Sequence, residues 1–213
     1  MSQQFKPFPR SFFDPPADVV APRLLGHWLI RKTPAGLCGG PIVEVEAYLR
    51  DDPACHAFRG QTDRNRIMFG RPGHAYVYLI YGYHYCVNAV CQEPGIGEAV
   101  LIRAIEPAFG HDLMRQRRPV QHHRDLTNGP AKLCEAMEID RRLDGADLTE
   151  RESPLLLCFN PALDSFLKNR EPVITGTRVG ITKAAHLPLR SYLDGSVFVS
   201  KRGSQENTDR TMG

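Results

Sequence analysis

Alternation of apolar and polar positions governs the middle of the chain. PIVEVEAY (41–48) alternates strictly, with Val43, Val45 and Ala47 on one side and Glu44, Glu46 and Tyr48 on the other, which predicts a strand. YVYLIYGYHYCVNAV (76–90) consists of two extended runs about a Tyr-Gly step and predicts a β-hairpin with Tyr81 at or beside its tip. AVLIRAIEP (99–107) predicts a third strand, with Ala99, Leu101, Arg103 and Ile105 on one face. SPLLLCFNP (153–161) reads as a strand, EPVITGTRVGITKA (171–184) as one or two, and LPLRSYLDGSVFVSK (187–201) closes the fold. Helical spacing occurs in ADVVAPRLLGHWLIRK (17–32), where Val20, Leu24, Leu25 and Leu29 form a stripe, Pro22 suits a first turn and Trp28 is expected in the core. A second helix is expected from Pro130, after the Asn128-Gly129 turn, and a mixed helix and basic loop over 108–125. TPAGLCGGP (33–41) reads as a connector. The expected architecture is a single-domain α+β fold over residues 17–202: a curved, mainly antiparallel sheet, helices covering one side, and the 76–90 hairpin projecting. The Pro- and Phe-rich residues 1–16 are expected to wrap the surface, and the polar tail 203–213 to be disordered.

Composition narrows the class. No apolar run approaches the roughly 20 residues of a membrane span, and the N-terminus has no apolar signal core, so a soluble, monomeric, cytoplasmic protein is expected. The six cysteines are scattered without a C-x-x-C pair, which points to packed thiols rather than a disulfide framework or a zinc site. A net charge of +3 is weak evidence for a polyanion partner, but its distribution is uneven. Arg64, Arg66 and Arg71 precede the hairpin, while Arg115, Arg117, Arg118 and Arg124 cluster with His122 and His123. Beside the hairpin such clusters would make a phosphate-binding face; elsewhere they are solvated loop.

Candidate chemistry lies on the alternating strands. Glu44, Glu46 and Tyr48 share one strand face, which is either acidic and wet or a built site. An arginine in mid-strand among apolar residues, as Arg103 is, must be paired, and Glu44 or Glu46 would serve. Five of the seven tyrosines fall in the hairpin, which makes it either a core element with amphipathic rims or an aromatic platform with a wedge at Tyr81. Asn65 and Arg66 could be turn or phosphate contacts. Asn128, Gly129 and Lys132, at a helix start, could seat a phosphate or simply cap the helix. His56 is a lone loop histidine.

The series VEVEAYL, His56, DRNRIMF, YVYLIYGYHYCVN, AVLIRAIEP, NGPAKLC and RVGI resembles the alkyladenine (3-methyladenine) DNA glycosylase family, in order from about residue 17 to 200. The strand and the tyrosine hairpin together carry most of that specificity. The resemblance implies hydrolysis of the N-glycosidic bond of alkylated and deaminated purines, such as 3-methyladenine, 7-methylguanine, hypoxanthine and ethenoadenine, in double-stranded DNA. It implies Glu46 as the general base that activates water, Arg103 as its positioning partner, and Tyr48, His56 and Tyr78 as walls around an everted base. Tyr81 would fill the gap in the duplex, Asn88 would crowd the 2-amino group of guanine, and Val179 would lie near the attacking water. The loop between Tyr48 and His56 is shorter than in mammalian members, and segment 111–125 differs, so loop-borne specificity is where departures are expected. No cofactor or metal is required by such a hydrolysis.

Two other readings remain open at this level. A non-catalytic stacking module would gain nothing from a carboxylate near phosphates. A nucleoside or glycoside hydrolase would use Glu44 and Glu46 as an acid–base pair roughly 6.5–9.5 Å apart, but would need neither the basic segments nor a tip tyrosine.

Overall fold

A computed structural model describes residues 5–201; the tail expected to be disordered, 203–213, lies outside them. The hub is β2 (Gly36–Tyr48), whose first half pairs with β1 (Trp28–Thr33) and whose second half pairs with β5 (Glu98–Ile105) on one edge and β8 (Arg190–Leu193) on the other. The hairpin β3 (Ala75–Ile80) and β4 (His84–Cys91) extends the sheet beyond β5, β6 (Leu155–Cys158) borders β1, and β7 (Val173–Gly176) borders β8. Every pairing between strands is antiparallel. The ladder between β2 and β5 slips between Ile42 and Val45, a bulge of the kind that bends a strand and curls a sheet. The α+β fold with a curled antiparallel sheet is therefore as expected.

The alternation in β2 sets the layers. Val43, Val45 and Ala47 are buried in the main core with Val20 and Leu24 of α1 (Ala17–Leu24), Met114 of α2 (His111–Arg117) and Leu133 of α3 (Pro130–Ala136). A short helix, α4 (Leu163–Lys168), has no fully buried residue but packs Phe166 and Leu167 against this core.

Several expectations are corrected. The helix predicted over 17–32 stops at Leu24, because Leu25 is extended and Gly26 turns the chain at φ 79°. Residues 28–33 then form a strand, and Pro22 sits in the last turn of α1 rather than the first. The connector expected over 33–41 is mostly strand. Its glycines serve close packing: a Cβ on Gly40 would lie 1.7 Å from the Glu106 carbonyl oxygen. The N-terminal segment does more than wrap the surface, since Phe8 and Phe13 are buried core residues. Trp28 lies at the margin of a smaller cluster, against Phe5 and Phe109, rather than in the main core. After β7, residues 177–184 form no strand.

His27 makes the fold sensitive to acid. The Asn160 N–H donates to its Nδ1 at 3.1 Å, and its ring packs against Phe8 and Phe159. Burial lowers its pKa from 6.5 to about 4. The neutral ring therefore contributes stability that is fully present above pH 6.5 and lost as the pH falls toward about 4. We expect the melting temperature to drop across that window, and the drop to be smaller in His27→Gln. Equal drops in the two proteins would assign the acid sensitivity to other groups.

Candidate active site

The polar face of β2 is not in water. Glu44 and Glu46 have no solvent exposure at all, and they face Arg103 of β5 and Arg190 of β8 in a buried network. The wet acidic strand allowed for in the sequence is thus excluded. Arg103 bridges the two carboxylates: its Nε donates to Glu44 Oε1 at 2.8 Å and its Nη1 lies 3.2 Å from Glu46 Oε1. Burial by itself would lower the Arg103 pKa, but Glu46 and Glu44 outweigh it and hold the guanidinium above its ordinary value.

The two carboxylates differ in what remains open to them. Glu44 Oε1 accepts from Arg103, Arg190 Nε and Ser200 Oγ, each at 2.8 Å, and Oε2 accepts the Ser200 N–H at 2.7 Å. Its acceptor capacity is largely consumed. Glu46 Oε1 takes Arg103 and the Val179 N–H, the latter at 2.7 Å, whereas the one contact on Oε2 among the described residues is the Tyr48 hydroxyl at 3.0 Å. Burial first, and then the Glu46 charge, raise the Tyr48 pKa, so its hydroxyl stays a donor.

Tyr48 connects this network to a cavity of about 170 Å³. For scale, an apolar cavity of ~150 Å³ accepts benzene, so the space suits one planar ring system. Tyr48, His56, Tyr76, Tyr78, Asn88 and Arg64 line it, over a floor that includes Met68 and Ala99. Strand periodicity puts Tyr76 and Tyr78 on one face, with ring centroids 5.3 Å apart. His56 stands edge-on to Tyr78 at 4.5 Å, and its Nδ1 is 2.9 Å from the Tyr76 hydroxyl. Burial, and then Arg64, lower the His56 pKa and keep the ring neutral at neutral pH. Burial raises Tyr76 to about 12 and raises Tyr78 further. The Asn88 amide donates to the Tyr76 carbonyl at 3.0 Å.

The hairpin tip stands beside this cavity, which Ile80 also lines. Tyr81 is 75 % exposed and adopts a left-handed φ of 53°, followed by Gly82 at 80°. Two successive positive φ values are what a tight hairpin turn requires, but the first of them is costly for a tyrosine.

The other predicted residues lie elsewhere or act differently. Val179 reaches the site through its backbone N–H, and Ile181 rather than Val179 lines the cavity. Asn65 is an organiser of the His56 loop: its amide donates to the His56 and Gly60 carbonyls, and its oxygen accepts from Thr62. Arg66 is exposed but outside the cavity, where Arg64 stands instead. Asn128 and Lys132 bond to each other at 2.8 Å near Asp125, and Gly129 is buried before α3; none of the three is brought to the cavity. Within the basic segment Arg117 and Arg118 pair with Glu138 and Glu135, while Arg115 and Arg124 are exposed. Sequence reasoning missed Arg190, Arg178 and Asp52, and it read Arg64 as part of a basic cluster for phosphate rather than as part of the cavity lining. Arg190, alternating with apolar neighbours in LPLRSYL, carries the same signal as Arg103.

All six cysteines are free and buried. Among the described residues no group of three or more His, Cys, Asp or Glu side chains is placed to hold a metal ion, and no helix is long and apolar enough to cross a membrane.

A base-sized aromatic cavity against a buried carboxylate–arginine network, beside a projecting tip, defines an enzyme-like site for a planar heterocycle. Comparison with known proteins makes the class specific. Residues 11–197 match the family model described as methylpurine-DNA glycosylase. Proteins named "Putative 3-methyladenine DNA glycosylase" match over nearly their whole length. That of Methanoculleus marisnigri is 50 % identical over 194 residues, covering 91 % of this chain and 98 % of its own. That of Agrobacterium fabrum is 47 % identical over 203 residues (95 % and 97 %), and that of Carboxydothermus hydrogenoformans 44 % over 194 residues (91 % and 98 %). The chain belongs to the methylpurine-DNA glycosylase family. It is a DNA glycosylase of base-excision repair, a hydrolase of N-glycosyl bonds.

Proposed function

We propose that this glycosylase everts alkylated or deaminated purines from double-stranded DNA into the Tyr48–His56–Tyr78 cavity and hydrolyses the glycosidic bond with water activated by Glu46, leaving an abasic site. The observation that carries the proposal is the asymmetry of the two carboxylates: the four donors on Glu44 come from Arg103, Arg190 and Ser200, none of which lines the cavity, while Glu46 Oε2 accepts from the hydroxyl of Tyr48, which does. A base stacked in a duplex cannot reach such an enclosed site, so eversion must come first, and unstacking costs a few kcal/mol, least for a damaged base. As the bond breaks, positive charge develops on the sugar. A preorganised carboxylate stabilises that charge and takes the water's proton.

The aromatic walls suit the lesions. Alkylation at N3 or N7 makes a purine cationic, and a cation over a tyrosine face gains about 0.5–2 kcal/mol. Neutral lesions such as hypoxanthine lack that gain and rely on hydrogen bonds. Arg64, 5.9 Å from the Tyr78 ring at the cavity mouth, favours neutral over cationic bases electrostatically, so the two lesion classes are expected to be closer in rate than the walls alone imply. Arg66 and Lys132, with Asn128 and Gly129, are proposed as phosphate contacts along the duplex.

Tyr81 is proposed as the wedge that occupies the vacated stack. Strain at an exposed aromatic is most readily understood as serving a function. Tyr81→Gly removes the ring and suits the backbone, so its melting temperature should match the wild type. Release from duplex is expected to slow by about tenfold or more, because the unstacking cost is no longer offset, with little change on a single strand. Equal slowing on both substrates would rule out the wedge.

The proposal is tested by base release from duplex oligonucleotides carrying one 3-methyladenine, 7-methylguanine or hypoxanthine. Release with an intact abasic strand, and no adduct trapped by borohydride, is expected, since among the described residues no lysine lines the cavity and no lysine side chain bonds Glu44 or Glu46. A trapped adduct would replace the hydrolytic route by an amine nucleophile.

A further inference from the structure

Arg178 is the most heavily committed side chain beside the cavity that has no part in the mechanism above. Its side chain has no solvent exposure. Nη1 donates to the Ala47 carbonyl at 3.0 Å and to the Asp52 carboxylate, and Nη2 donates to the Ala184 carbonyl at 3.5 Å. The guanidinium carbon lies 4.7 Å from the centre of the Tyr48 ring. Arg178 does not line the cavity, whereas Tyr48 does, so the guanidinium backs the ring rather than competing for the space in front of it.

These contacts join parts that secondary structure leaves unjoined. Residues 177–184 form no strand, so their position depends on side-chain tethers. Arg178 ties both ends of that loop to Ala47, which lies between Glu46 and Tyr48 on β2, and to Asp52. Asp52 in turn accepts the Ala54 N–H at 2.9 Å in the segment that leads to His56. The next residue, Val179, donates the 2.7 Å N–H to Glu46.

We infer that Arg178, paired with Asp52, is a positioning residue for the reaction: it fixes the 178–184 loop so that the Val179 N–H orients Glu46, and it backs the Tyr48 wall of the base cavity. This rests on the reading of Glu46 as the base. Small displacements of a reacting group cost rate, up to about a hundredfold for 1 Å, whereas the buried Arg178 side chain, which does not line the cavity, offers DNA no direct contact.

Two variants test it. Arg178→Lys keeps a charge opposite Asp52 but lacks the planar fork needed to hold Ala47, Asp52 and Ala184 together. Arg178→Met with Asp52→Asn leaves no lone buried charge. Each would be compared with wild type, in the natural and the Glu46→Gln background, by single-turnover release of 7-methylguanine at saturating enzyme and by affinity for a duplex with an abasic-site analogue. Release is expected to slow by about tenfold to a hundredfold, with affinity unchanged to within about twofold. In the Glu46→Gln background the same changes are expected to cost little more, because residues that act through one group are not additive. Losses that multiply in that background would show a defect independent of Glu46 and overturn the inference, as would a folded Arg178→Lys protein with wild-type release. A wild-type protein that releases no base would overturn the functional reading itself, a result distinct from either.

Discussion

Glu46→Gln is expected to slow base release by about 10²–10⁴-fold, the range typical of losing a general base, while leaving affinity for lesion-bearing duplex in place. The amide matches the carboxylate in shape but cannot take a proton. It also leaves the Val179 N–H and Arg103 facing a group without charge. The loss should be greater for hypoxanthine than for 7-methylguanine, because a cationic purine is the better leaving group and depends less on an activated nucleophile. Single-turnover excision of each lesion, beside binding to an abasic analogue, separates chemistry from recognition. Release that persists within about tenfold of wild type would remove Glu46 from the role. Glu44 would not be a ready substitute, because four donors already occupy it.

The second large effect falls on stability. Glu44→Ala leaves Arg103 and Arg190 buried with their shared anion gone, and breaking one side of a buried ionic cluster costs about 3–5 kcal/mol. For a chain of this size that corresponds to a fall in melting temperature of roughly 6–20 °C. Glu46 would partly compensate by drawing Arg103 toward itself, so Arg190, whose remaining contacts are the Lys201 carbonyl and the Tyr192 ring, should account for most of the loss. Thermal denaturation of Glu44→Ala and Glu44→Gln checks this. A shift below a few degrees in both would mean that the network is hydrated or reorganises without cost. The two predictions separate neighbouring carboxylates on one strand face: one is needed chiefly for chemistry, the other chiefly for the fold.

Much of this molecule was legible in its sequence, and the reasons are local. Strict alternation in PIVEVEAY fixed a strand and its two faces, because side-chain direction in a strand has a period of two. The Tyr-Gly step between two β-rich runs fixed the hairpin. A mid-strand arginine required an acidic partner, and Glu44 and Glu46 are the partners found. The family could be inferred from the order and spacing of those same motifs. The errors were local as well. The 17–32 stripe is compatible with helical periodicity, yet Gly26 and the pairing of Trp28–Thr33 with β2 and β6 override it, since ladder partners come from distant residues that a window cannot see. Glycines read as a connector over 33–41 are strand residues where the chain at 106–108 passes closely.

Tertiary structure alone decided which of two equivalent carboxylates adjoins the cavity-lining Tyr48. Glu44 and Glu46 have the same chemistry and the same face, and what distinguishes them is Arg190, Ser200 and the Val179 N–H, contributed by segments 133 to 156 positions away. The same holds for the cavity, whose walls come from β2, β3, β4, β5, the segment before β3 and the loop that carries Ile181. The sequence determined the strands that carry the site, the chemical groups on their faces and the family to which the chain belongs. Only the folded chain determined which neighbours each group meets, because hydrogen-bond partners depend on residues brought together by the sheet.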